Sequence, residues 1–199
     1  MAEVYLSPSV RHFNRGYGTY GTEEQRANLI ADVVQLELVR NGLTVDRNRP
    51  EQDLAGVVAD ANARQSDVYV AIRSVGGDPG ERGATVYYYR PGTNGERLAS
   101  DIYEALAQIV PEGLGIQEGA GAYGGLGFYE LRETRSPSVI VQVGYHSDPQ
   151  EADFIIRNVY EIGTAIAKGV LAYFGLSYTE NTPEEAERLK NEYNNVYLE

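Results

Sequence analysis

The sequence predicts an α/β sandwich: a mostly parallel central sheet with helices on its faces. Two observations carry this. Strand-like and helix-like segments alternate along most of the chain. Segments such as Val139–Val143 are β-branched and apolar but for Gln142, as strands covered on both faces are. The 199 residues suit one such domain with a small appendage.

Val4-Tyr5-Leu6 reads as the first strand, ended by Ser7-Pro8-Ser9, and a Gly/Tyr loop runs from Asn14 to Gly21. Thr22 with Gln25 three residues on is a capping box. Ala27, Ile30, Ala31, Val34 and Leu38 then fall on one helical face, and Asn41-Gly42 stops that helix. Leu43-Thr44-Val45 is a second strand, and Leu54, Val57, Val58 and Ala61 mark a second helix. Val68, Val70 and Ile72 alternate as a third strand, and a turn through Asp78-Pro79-Gly80 leads to a fourth at Ala84–Tyr89. Leu98–Val110 is expected to be helical, Gly113–Gly127 a glycine-rich loop and Phe128–Leu131 a short strand. Val139–Val143 is a buried strand, and Ala152–Phe174 reads as one long helix. The domain is expected to span 1–176. Residues 177–199 form an acidic tail with a short helix, where Thr182 and Pro183 give a cap and a first-turn proline. A helix this short is not stable alone and has to dock, on its own domain or on a partner.

Composition excludes several functions. The net charge of −12 argues against nucleic acid and against an anionic membrane surface. No apolar run is long enough for a transmembrane helix, so membrane insertion is not expected. Without cysteine there is no disulfide, thiolate nucleophile or thiolate metal site. The first residues, Met1 to Leu6, carry neither a basic region nor a long apolar stretch, so no secretory signal is expected there. Sixteen tyrosines, many beside glycine, suit exposed contact loops. Gly119-Ala120-Gly121-Ala122-Tyr123-Gly124 matches a dinucleotide fingerprint but lacks the preceding strand and following helix.

Six stretches, in order, resemble one family. They are Tyr5–Ser9, Glu24–Ala31, Asn41–Val45 with Arg47-Asn48, Ala61-Asn62 with Asp67–Ser74, Gly83–Tyr89, and Ser138–Pro149. Together they are similar to the zinc-dependent N-acetylmuramoyl-L-alanine amidases of amidase type 3, over about residues 4–175. The resemblance implies a three-layer sandwich and a zinc ion held by His, Glu and His, with a water activated by the metal. A further Glu on a late strand moves the proton. The bond cut joins the lactyl group of muramic acid to L-Ala.

Carried onto this chain, the Glu ligand position is Glu24, four residues before Asn28. Val10 stands at the first His position, with His12 two residues later as a substitute if the loop is rearranged. Arg73 stands at the second His position; a guanidinium has no lone pair to give a metal. It is expected to pair with Glu24 across the former metal site. Gln142 stands at the catalytic Glu position, and an amide cannot shuttle protons near neutral pH. His146, four residues further on, is read as structural.

The chain is therefore expected to be a degenerate, non-hydrolytic amidase-like protein without a cofactor. It would bind peptidoglycan or muropeptide, or act as a self-assembling or partner-binding module through its Tyr-rich loops and C-terminal helix. The alternative is an active cell-wall amidase with a zinc site rebuilt around His12 and Glu24. Failing the family, the chain would be an unrelated acidic α/β domain. The family works outside the membrane, but the sequence fixes no compartment.

Overall fold

The computed structural model describes residues 3–78 and 80–199. Met1, Ala2 and Pro79, the middle of the expected Asp78–Gly80 turn, lie outside the described residues. Six strands form one sheet: β1 (Glu3–Pro8), β2 (Thr44–Arg47), β3 (Val68–Val75), β4 (Ala84–Tyr88), β5 (Gly113–Glu118) and β6 (Ser138–Tyr145). Their order is β2-β1-β3-β6-β4-β5. The first four in that order are parallel; β4 runs antiparallel to β6, and β5 runs parallel to β4. The expected mostly parallel α/β sandwich is what forms.

Alternation along the strands sorts the sheet into two unequal faces. Val4, Leu6, Val70, Ile72, Val139 and Val141 point into the larger core. That core is closed by α1 (Glu23–Arg40), α3 (Asn94–Leu106), α6 (Pro149–Arg157) and α7 (Val159–Tyr173). The intervening residues Tyr5, Tyr69, Ala71 and Ile140 face a smaller cluster, covered by Val57 and Ala61 of α2 (Leu54–Arg64) and Leu131 of α5 (Tyr129–Glu133). One more helical turn, α4 (Ala122–Gly125), lies in the loop between β5 and α5.

α7 lies against α1 and α3 because it is smooth where they cross. A Cβ on Gly163 would meet Val33 Cβ at 2.6 Å, and one on Gly169 would meet Ile102 Cα at 2.3 Å. Thr22 caps α1 as expected, with both reciprocal bonds of the capping box present.

Three elements differ from the sequence reading. Gly113–Glu118, expected in a loop, is the edge strand β5 beside β4. Phe128–Leu131, expected as a strand, instead caps and opens the helical turn α5, which buries Glu130 and Leu131 side by side. The long helix Ala152–Phe174 starts earlier, at Pro149 behind the Asp148 cap, and breaks at Asn158. Asn158 adopts φ −129° and its side-chain amide caps the Phe154 carbonyl at 2.7 Å.

After residue 176 the chain returns across α1 and α7. Tyr178 and Asn181 donate to the buried Glu37 carboxylate. α8 (Pro183–Tyr193) then inserts Leu189, 1% exposed, into the larger core. Beyond it, Asn194 accepts from the Tyr160 amide, Arg26 donates to the Val196 carbonyl, and Leu198 forms a bridge with Tyr20. The tail thus docks on its own domain.

Candidate functional site

The polar centre of the molecule lies where β1, β3 and β6 reach their C-terminal ends. In open α/β sheets this edge is where ligands bind. Register puts Arg73 of β3 directly beside Gln142 of β6, and Gln142 opposite Thr85 of β4. Both side chains line a cavity of ≈ 80 Å³, walled by Tyr87, Tyr123 and Phe128 and reached also by Arg11, Glu23 and Glu130.

Arg73 does not pair with Glu24. Its Nη2 donates to both oxygens of Glu130, at 2.7 and 2.9 Å, and to Ser7 Oγ at 3.3 Å. Its Nη1 donates to the carbonyls of Ser7 and Ile72. Tyr69, on the same face of β3, donates its hydroxyl to Glu130 at 2.9 Å. Burial opposes the Arg73 charge, yet Glu130, Tyr69 and Glu23 together hold its pKa above the ordinary arginine value. Burial, then Glu130, pushes the Tyr69 hydroxyl well up, so it stays protonated and donating. The expected Glu24 partner is wrong for a geometric reason. Glu24 is half-buried at the second helical position and is not among the residues of this pocket, while its carbonyl accepts from Asn28. The carboxylate of α1 that faces the pocket is Glu23, fully buried at the first helical position.

Glu23 is held by a run of hydrogen bonds from one side of the site. Tyr20 donates to Ser74 Oγ at 2.8 Å, and Ser74 lies 2.7 Å from His146 Nδ1. Having accepted from Tyr20, the Ser74 hydroxyl gives its own proton to Nδ1. Nε2 of His146 therefore carries the ring proton and donates to Asn14 Oδ1 at 3.3 Å. The Asn14 amide in turn donates to Glu23 Oε2 at 2.7 Å. Burial holds the His146 pKa down to about 4, so the imidazole is neutral and the run is uninterrupted at neutral pH. His146 is buried and fixed within this run, and through Asn14 it orients a pocket carboxylate. His12 is exposed, packs edge-on to Phe13 at 5.5 Å, and is not among the pocket residues.

The donor set does not fit zinc. Zinc takes neutral imidazole, carboxylate or thiolate. The pocket offers one carboxylate turned to Asn14, a second engaged by arginine, a permanent cation and an amide. Among the described residues, no group of three or more His, Cys, Asp or Glu could hold a metal ion.

Four contributors escape a reading of the sequence: Glu130, Ser74, Asn14 and Glu23 in place of Glu24. Glu130 alone carried a signal, as a lone carboxylate inside the apolar run Phe128–Leu131.

Fold and pocket define a three-layer α/β sandwich with a polar site at the C-terminal edge of its parallel strands. Residues 12–172 match the family model of amidase type 3, N-acetylmuramoyl-L-alanine amidase, and the chain belongs to that family. It is 29% identical over 140 residues to the probable cell wall amidase LytH of Staphylococcus saprophyticus, covering 69% of this chain and 45% of that protein. The chain spans about half the length of the curated relatives it matches. Its fold is that of the CwlV amidase catalytic domain of Bacillus (Paenibacillus) polymyxa, with a TM-score of 0.79 at 22% identity over 89% of this chain and 100% of the other. The amidase AmiC2 of Nostoc punctiforme gives 0.75 at 24% identity, over 87% and 97%.

Proposed function

We propose that this chain is a non-hydrolytic member of its family that binds peptidoglycan through the pocket at the sheet edge. The observation that carries the reading is the Arg73–Glu130 pair, which fills the place where the resemblance puts a metal-binding His. A guanidinium cannot ligate a metal, and its charge opposes a cation beside it. Gln142, 6% exposed, stands where a proton-transferring Glu is implied, and general-base catalysis supplies about 10²–10⁴-fold in rate. What favours ligand binding over self-assembly is that the pocket retains buried polar atoms facing a cavity, which a merely structural edge has no reason to keep.

The test combines elemental mass spectrometry of untagged protein with incubation on purified peptidoglycan. The expected result is no stoichiometric zinc, no release of peptides beginning with L-Ala, and retention of the protein on the insoluble wall. About one zinc per chain together with peptide release would establish an amidase with a rebuilt site instead.

A further inference from the structure

Two buried polar atoms of the pocket have no hydrogen-bond partner among the described residues: Oε1 of Glu23 and Nε2 of Gln142. Their residues are 0% and 6% exposed, and both line the ≈ 80 Å³ cavity. They come from separate elements, the first turn of α1 and the end of β6. Native proteins pair nearly all such groups, and each exception calls for an explanation.

The chemistry of the pair is asymmetric. Glu23 Oε1 is an anionic acceptor, whereas an amide nitrogen only donates. Charge adds a second constraint. The Arg73 guanidinium is engaged by Glu130, so the buried part of the pocket holds two carboxylates against one cation. Asn14, which holds the other Glu23 oxygen, is neutral. The walls are aromatic: Tyr87 and Phe128 lie 4.9 Å apart and Tyr123 meets Phe128 at 5.4 Å. Aromatic faces favour a cation. Arg11, at the exposed end, puts positive charge at the mouth.

These features select among small groups. A carboxylate is repelled by Glu23. A lone ammonium leaves Gln142 unpaired. A neutral amide leaves the surplus negative charge in place. An ammonium next to a carbonyl satisfies all three demands. We infer that the pocket binds the free amino terminus of a peptide, with its ammonium on Glu23 and its first carbonyl on Gln142. The rest of the peptide leaves past Arg11.

This rests on the proposed function and sharpens it. Hydrolysis of a muramoyl–L-alanine bond adds water across the amide and releases a peptide with a free amino terminus. The pocket would therefore recognise wall that has been cut, the product of an active amidase, in preference to intact wall.

The experiment is titration calorimetry of the full chain with L-alanyl-L-alanine and with its N-acetylated form, alongside retention on intact peptidoglycan. The inference expects the free dipeptide to bind and acetylation to weaken binding at least tenfold. Glu23→Gln and Gln142→Leu should each weaken the free dipeptide at least tenfold while leaving Tm within a few degrees. Equal binding of the acetylated form overturns the inference, as does no binding of either form at millimolar concentration. If the protein is nevertheless retained on intact peptidoglycan, only this inference falls and the proposed function stands. If retention is lost as well, both fall.

Discussion

Helix α1 buries a carboxylate at each end, and the two are treated differently. Glu37, in the last turns, is 0% exposed and both its oxygens are occupied. Asn181 donates to Oε1, and Arg40 and Tyr178 donate to Oε2. Glu23, in the first turn, is equally buried, yet among the described residues only its Oε2 has a partner. The helix dipole acts in the opposite sense to this pattern. It favours negative charge at the N-terminus and disfavours it at the C-terminus. Glu37 therefore needs the Arg40 cation and two further donors. Glu23 is sustained by the helix end and one amide, which leaves an oxygen for something else. The carboxylate at the tail end of α1 is saturated by the fold, and the one at the pocket end is left partly open.

The sharpest way to break this comparison is to open a saturated pair inside the pocket. Glu130→Ala leaves the Arg73 guanidinium buried without its counter-ion, which costs about 3–5 kcal/mol. The combined Arg73→Met, Glu130→Leu protein should lose far less. Chemical denaturation of the two variants beside the unaltered protein measures this. A single-variant loss below about 1 kcal/mol would mean that the pair is not the structural element described here.

The next effect separates the regions by pH. Of the two histidines, only His146 is buried, and it belongs to the pocket side. Its folded pKa of about 4 lies below the ordinary ~6.5, so the unfolded chain takes up the proton first. The associated stability is complete above about pH 6.5 and is lost as pH falls towards 4, about 3 kcal/mol in all. Hydrogen exchange should accelerate around residues 14–22 and 146 through that window while α8 stays protected. A His146→Gln protein should show a flatter slope.

The smallest effect tests the saturated end. Glu37→Ala removes the acceptor of Tyr178 and Asn181 and should cost about 2 kcal/mol. Limited proteolysis should then cut near residues 177–182, with binding at the pocket retained. Loss of binding at unchanged stability would show that the two ends of α1 are not separable.

How far these features could be read from sequence follows from how local their causes are. β3 and β6 carry apolar, β-branched runs over Val68–Ile72 and Val139–Val141 and could be recognised without their neighbours. The Thr22 cap depends on residues three apart and was equally legible. β5 was not, because it is a glycine-bearing edge strand whose order comes from pairing with β4. The break at Asn158 was hidden because the residues on both sides continue the apolar helical pattern. In the site, Arg73 and Gln142 lie side by side because strand register sets them there. Glu130 lies 57 residues from Arg73, and nothing local announces that contact. Choosing between Glu23 and Glu24 required the phase of the first helical turn, in which adjacent side chains diverge by about 100°.

The bonds from residues 196 and 198 back to Arg26 and Thr19 order the site in time as well as in space. A ribosome delivers residues at about 5–20 per second. The loop that presents Asn14 to Glu23 therefore emerges on the order of ten seconds before the segment that ties it down. During synthesis the sheet and α1 can form while that loop stays loose, so the pocket is among the last parts of the molecule to reach its final form.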